Sequence, residues 1–148
     1  MKPVTVSVEV PTPREEVYDF LNVLENHASF RDYLLTDWKY SGPPSGVGAR
    51  ARARTNTPMS QDWTDIELIV ADRPRRIVEE DRGAKGARRT RGTYRLEKLP
   101  DGGTRVSFEL DTVEPTKFEK LLGPINGPFL RRANGKALSR LAKQLRKR

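Results

Sequence analysis

Between Thr90 and Thr112 the chain runs twice through a period of two around one tight turn. Gly92, Tyr94 and Leu96 alternate with Thr93, Arg95 and Glu97, and Pro100-Asp101-Gly102-Gly103 then reverses the chain. Val106, Phe108 and Leu110 follow, alternating with Arg105, Ser107 and Glu109. A period of two sends successive side chains to opposite faces of a strand, so this stretch predicts a β-hairpin with one apolar and one wet face. The apolar face must be covered. A long amphipathic helix from Phe129 onward can cover it, with Leu130, Asn134, Leu138, Leu141 and Leu145 on one face and Arg131, Arg132, Lys136, Arg140 and Lys143 around the rest. A curved antiparallel sheet gripping a terminal helix tends to enclose a cavity.

The rest of the chain supplies more strands. Val4, Val6, Val8 and Val10 alternate with Thr5, Ser7 and Glu9 in a first strand that Pro11 ends. Thr12 is placed to cap a helix, with Pro13 at its first position, Glu15 and Glu16 in its first turn, and Val17, Phe20, Leu21 and Leu24 as its apolar stripe. A second short helix is expected over Leu24 to Tyr33, and a second strand from Trp38 and Tyr40. In strand three, Val47, Ala49, Ala51 and Ala53 share one face and Arg50, Arg52 and Arg54 the other. A row of alanines fills little volume, so either a helix packs close on it or space is left for a ligand. Strand four turns Thr64, Ile66, Leu68 and Val70 inward and Trp63, Asp65 and Glu67 outward. Ala71 to Pro74 leads into strand five, around Arg76 to Asp81, and Gly83 to Gly86 leads into strand six. Strands joined by short turns favour an antiparallel α+β domain over a parallel one. No repeat or linker divides the chain, and residues 1–148 are expected to form one domain.

Composition narrows the function. The chain has 148 residues, no cysteine and one histidine, His27, so a zinc cluster is excluded and no metal or other cofactor is expected. The opening residues lack the apolar core of a signal peptide, and no apolar run is long enough for a membrane span, so a soluble cytoplasmic protein is expected. The net charge of +8 raises the question of nucleic acid, anionic membrane or an acidic protein partner. Its basic residues are interleaved with acids along the whole chain, and only Lys143 to Arg148 is dense, which favours a solvated basic surface. Single-strand readers present exposed aromatics beside their charge, and Trp63 on the outer face of strand four is the obvious candidate here.

Several phrases, in order, are similar to those of one family. Val10-Pro11-Thr12-Pro13-Arg14-Glu15-Glu16-Val17-Tyr18-Asp19-Phe20-Leu21 is similar to its opening strand and helix, and Glu25 to Phe30 to its second helix. Gly46-Val47-Gly48 is similar to the start of its third strand. Asp72-Arg73-Pro74-Arg75-Arg76-Ile77-Val78 is similar to its Asp-Pro-Pro-Arg-x-Leu turn, with Arg73 in place of the first proline. Gly92 to Leu96 and Gly102 to Val106 are similar to its penultimate hairpin. Over nearly its whole length the chain thus resembles the START-like superfamily, also called SRPBCC or polyketide cyclase/dehydrase-like. The resemblance implies a helix-grip fold: a curved antiparallel sheet of about seven strands wrapped on a long C-terminal helix, two short helices between strands one and two, and a ligand cavity between sheet and helix. Its members include aromatase/cyclases, lipid and sterol carriers, coenzyme Q-binding proteins, hormone receptors and chaperone cofactors, so the fold alone selects no activity.

The alternation nominates Trp38, Tyr40, Ala49, Ala51, Ile66, Leu68, Thr90, Tyr94, Phe108, Leu130, Asn134 and Leu138 as inward residues, and as ligand-binding candidates. Asn134 is a polar group on an apolar face, where its amide needs either a backbone partner or a ligand. Strand five is ambiguous because Ile77 and Val78 are both apolar. If Val78 faces inward, Glu80 does too, and Glu80 joins the candidates; if Ile77 does, Glu79 and Asp81 follow. Either carboxylate could stand opposite Arg88 as an ion pair, or act as a general base or polar anchor. His27 is expected on a short surface helix, and neither a Ser-His-Asp set nor a Gly-x-Ser-x-Gly elbow occurs, so no catalytic residue is assigned.

Three functions follow from these residues. The first is non-catalytic binding of a hydrophobic, lipid-like or polyketide-like small molecule, with Phe118 to Phe129 as a flap over the mouth. The second is an aromatase/cyclase-type enzyme in which Glu80, Tyr94 or Asn134 serves as acid or base; polar groups converging in the pocket would favour it. The third is a basic module whose binding would fall steeply with salt.

Overall fold

Seven strands pair in one antiparallel sheet, in the order β1-β7-β6-β5-β4-β3-β2. In chain order they are β1 (Val4–Val10), β2 (Leu35–Ser41), β3 (Arg50–Thr55), β4 (Trp63–Asp72), β5 (Arg76–Gly83), β6 (Arg88–Lys98) and β7 (Thr104–Glu114). The helices are α1 (Arg14–Leu21), α2 (Ala28–Arg31), α3 (Lys117–Leu122) and α4 (Gly127–Arg146). This computed structural model describes residues 2–32, 34–56, 61–122 and 127–147. The architecture is the expected helix grip. Helix α4 packs along β1, α2 and β7, while α1 packs on β5 and β6.

The hairpin behaves as its period dictates. Tyr94 pairs with Phe108 and Leu96 with Val106, and all four side chains are buried on one face. The turn depends on two glycines. Gly102 takes φ +89°, a left-handed conformation that glycine adopts without cost, and a side chain at Gly103 would collide with the Val10 carbonyl. Gly92, further up β6, is needed for a different reason. A Cβ there would lie 2.8 Å from the Phe108 ring and 3.1 Å from the Glu79 side chain, so the missing side chain lets both approach the strand.

Helix α4 buries Ala133, Asn134, Ala137, Leu138, Leu141, Ala142 and Leu145, a stripe at helical spacing. Each buried leucine contributes about 1.5–3 kcal/mol of apolar transfer. The helix begins at Gly127, two residues before the expected Phe129. The Gly123-Pro124 break in the proposed flap lies outside the described residues.

Local readings of the N-terminal third need correction. Thr12 does not cap α1: Pro13 holds the cap position, no side chain caps it, and the Thr12 carbonyl accepts the Thr104 hydroxyl at 2.7 Å. The second helix is broken into a single 3₁₀ turn, Leu24–Asn26, and α2; Tyr33 lies outside the described residues. Strand β2 starts three residues before Trp38 and carries a bulge between Thr36 and Lys39, with Asp37 at φ 56°. A bulge of this kind re-aims the side chains that follow. The alanine row does face the core, where Ala49, Ala51 and Ala53 join the same cluster as Leu24, Phe30, Leu35, Ile66 and Leu68; Val47, before the strand, is exposed.

Candidate functional site

Strand β5 sits near the middle of the sheet, and its register resolves the ambiguous phase. Ile77 pairs with Tyr94, whose ring is buried, and residues directly opposite share a face. Glu79 and Asp81 therefore point inward with Ile77, and Glu80 points the other way. On that outer face Glu80 meets Arg82 at 3.2 Å, Arg91 at 3.5 Å and Arg89 at 3.9 Å. The nomination of Glu80 as an inward residue is corrected on this ground.

The inward carboxylates meet a cation that the sequence did not disclose. Arg31, at the end of α2, donates from Nη1 to Glu79 Oε1 at 2.8 Å, and Glu79 has no exposure at all. Arg88, the expected partner, instead pairs with Glu119 of α3 at 2.8 Å. Behind the Arg31–Glu79 pair lies His27, fully buried rather than on a surface helix, edge-on to Tyr94 at 5.7 Å and 5.2 Å from the Phe30 ring. Its Nε2 lies 2.7 Å from the Leu21 carbonyl, which can only accept, so Nε2 carries the proton and Nδ1 is left without a donor.

Electrostatics assign the charges. Burial opposes ionisation of Glu79, but the Arg31 guanidinium outweighs it and holds Glu79 below the usual carboxylate range. Burial likewise opposes the Arg31 charge, yet Glu79 holds the guanidinium more firmly protonated than usual. Asp81 goes the other way: burial, then the neighbouring Glu79 charge, push its carboxyl well above its ordinary value. Glu79 Oε2 and Asp81 Oδ1 are both buried without a donor among the described residues. The carboxyl of Asp81, harder to ionise than usual, thus stands beside the Arg31–Glu79 ion pair. Burial pushes the His27 imidazole down to about 4, which keeps it neutral near pH 7, and pushes the Tyr94 hydroxyl up.

This cluster forms part of the wall of a half-open cavity of about 170 Å³. Arg31, Asp81, Asn134 and the hydroxyl residues Thr90 and Thr112 line it, together with Leu34, Phe108, Leu110, Phe129 and Leu130. Arg88 and Glu119 also line it, and their ion pair ties α3 to β6; Glu119 further accepts from the Thr116 backbone N–H at 3.2 Å. Asn134 Nδ2 is buried and has no partner among the described residues.

Of the nominated ligand-binding residues, Thr90, Phe108, Leu130 and Asn134 line the cavity. Ala49, Ala51, Ile66, Leu68, Tyr94 and Leu138 are buried in the apolar core instead. Trp38 and Tyr40 lie on β2, an edge strand beyond the bulge, where their rings stack at 6.0 Å; Trp38 packs against the core and Tyr40 is 39% exposed. Arg31 and Asp81 are among the cavity residues absent from that set. Trp63, the candidate stacking platform, is already ringed by Lys39, Arg52 and Arg54 at 5.0, 5.3 and 4.9 Å. No three His, Cys, Asp or Glu side chains come together for a metal among the described residues, and no helix there is long and apolar enough to cross a membrane.

Comparison with known proteins agrees with this architecture. The family described as polyketide cyclase / dehydrase and lipid transport matches residues 1–148. The chain belongs to that family, within the START-like superfamily. The protein TTHA0849 from Thermus thermophilus is 18% identical, with a TM-score of 0.76 and 97% of each chain covered. The ZhuI aromatase/cyclase from Streptomyces sp. R1128 is 15% identical, with a TM-score of 0.76 over 99% of this chain and 94% of that one. Norcoclaurine synthase from Thalictrum flavum, as a point mutant with a transition-state analogue, is 13% identical, with a TM-score of 0.68 over 97% of this chain and 96% of that one. At such identities the likeness concerns the fold alone. No curated protein matches the chain.

Proposed function

We propose that this family member binds a hydrophobic small molecule in the cavity between sheet and α4, holding the apolar body against Phe108, Leu110 and Leu130 and the polar end near Arg31, Asp81 and Asn134. The observation that carries this reading is the cavity itself, apolar along most of its wall and polar at a few points, as small-molecule sites are. Its volume of about 170 Å³ is close to that of an apolar void of about 150 Å³ that accommodates one benzene, so single-ring molecules are suitable probes. Native mass spectrometry of protein from its own host tests the reading: a stoichiometric small molecule, released on unfolding, is expected. Bare protein that also fails to take up single-ring aromatics would overturn it.

One observation favours a second reading, acid–base turnover of the bound molecule. Asp81 is a carboxyl in the cavity wall whose pKa is raised by burial and by the neighbouring Glu79 charge, which suits it to act as a general acid. An aromatase/cyclase among the structural neighbours fits this reading. The small molecules released from the wild type and from Asp81→Asn distinguish the two. A carrier gives the same molecule from both; an enzyme accumulates a different one in the variant.

A further inference from the structure

The walls of the cavity carry an imbalance that selects a class of ligand. The cations of the wall are already paired: Arg31 faces Glu79 at 2.8 Å and Arg88 faces Glu119 at 2.8 Å. An anionic ligand would have no counter-charge left and would be buried unpaired. One buried donor of the wall has no acceptor among the described residues. Asn134 Nδ2 is a donor on a residue only 8% exposed, it sits in the cavity wall, and nothing among the described residues accepts from it. A structural bond from this amide to the backbone, the alternative open in the sequence, is not made by Nδ2. Native proteins rarely leave a buried donor without an acceptor, so the missing acceptor belongs to whatever occupies the cavity.

We infer that Asn134 anchors a ligand without negative charge through a carbonyl-type oxygen, with the Asn134 amide N–H donating to that oxygen. This rests on the cavity-binding reading and adds the polarity and charge of the occupant to it. Leu130, one turn before Asn134 on α4, and Phe108 on β7 line the same cavity and supply the apolar surface. The hydrogen bond fixes which end of the ligand faces α4. Carboxylates of the same size are rejected because they bring charge without a partner.

The test uses two probes of nearly identical shape, acetophenone and α-methylstyrene, which differ by an oxygen in place of a methylene group. Binding to the full chain is followed by NMR titration, reading the amides of β6, β7 and α4. Acetophenone should bind about tenfold more tightly than α-methylstyrene, and benzoate should bind more weakly than either at neutral pH. Asn134→Leu should abolish the preference while still binding α-methylstyrene. Equal affinity of the two neutral probes for the wild type would overturn the anchor and leave cavity binding standing; this comparison needs no variant. A preference that survives in Asn134→Leu would also overturn it, since another donor would then be responsible. Failure of both probes to shift any cavity amide would overturn cavity binding and the anchor with it.

Discussion

Strand β5 places acidic residues in two environments one residue apart. Glu79 and Asp81 face the interior, where Glu79 has no exposure and meets a single guanidinium, Arg31, at 2.8 Å. Glu80 and Arg82 face outward, where Glu80 is shared among Arg82, Arg89 and Arg91 and the surrounding pairs, Arg50–Glu67 and Arg52–Asp65, are well exposed. The contacts look alike as a list of ion pairs. Their energetics differ because water screens one set and is excluded from the other. The outer pairs are exchangeable, so losing one partner leaves others. The inner pair is strict: each buried charge has the other as its counter-charge.

Removing one inner partner should produce the largest effect. Arg31→Met leaves Glu79 buried without its cation and should cost about 3–5 kcal/mol in a urea denaturation. A cost close to that of an outer-face substitution would show that Glu79 is hydrated in solution. Next in size is a pH effect from His27, whose ordinary pKa of 6.5 is pushed down to about 4 by burial. The unfolded chain therefore binds this proton first as pH falls. The contribution of His27 is complete above its unfolded pKa and is lost as pH drops towards the folded value, a change of about 3 kcal/mol. Asp81 acts in the opposite sense: its raised pKa stabilises at low pH, and that contribution is lost as pH rises through the folded value. The difference between wild type and His27→Gln isolates the histidine, and its slope should vanish above about pH 7. If the two pH profiles run parallel, the imidazole is not held neutral by burial. The smallest effect belongs to the outer face, where Arg82→Gln should cost less than about 1 kcal/mol, and less still in high salt. A larger cost would mean that the outer network acts as one unit.

The same strand shows where sequence patterning succeeds and where it stops. The β6–β7 hairpin, β1 and Thr64, Ile66 and Leu68 of β4 were legible because each alternates cleanly between apolar and polar residues; past Leu68 a register shift sets Val70, expected inward, opposite Val78 on the outer face. In β5 the signal failed because Val78 is 5% exposed even though it lies on the outer face beside Thr93, so both phases offered an apolar residue. The missing information was the register. With the β5–β6 turn placed at residues 84–87, Tyr94 falls opposite Ile77, and the inward phase of Glu79 and Asp81 follows from that one pairing. Arg31 was not legible in this way. It lies 48 residues before Glu79 on a four-residue helix, too short to show a period, and only tertiary packing brings the two together. His27 escaped for the same reason, being the residue before that helix. Asn134 was legible as a polar group on an apolar stripe, but whether it had a partner was not.

The pairing of β1 with β7 sets Val4 opposite Leu110 and Val10 opposite Thr104. During synthesis the first strand to emerge therefore waits for about a hundred residues before its only sheet neighbour exists, and α4, which covers it, is made later still. Such long-range closure slows folding relative to local contacts. Until β7 forms, Val4, Val6, Val8 and Val10 are an unpaired apolar ribbon, the kind of segment that chaperones shield.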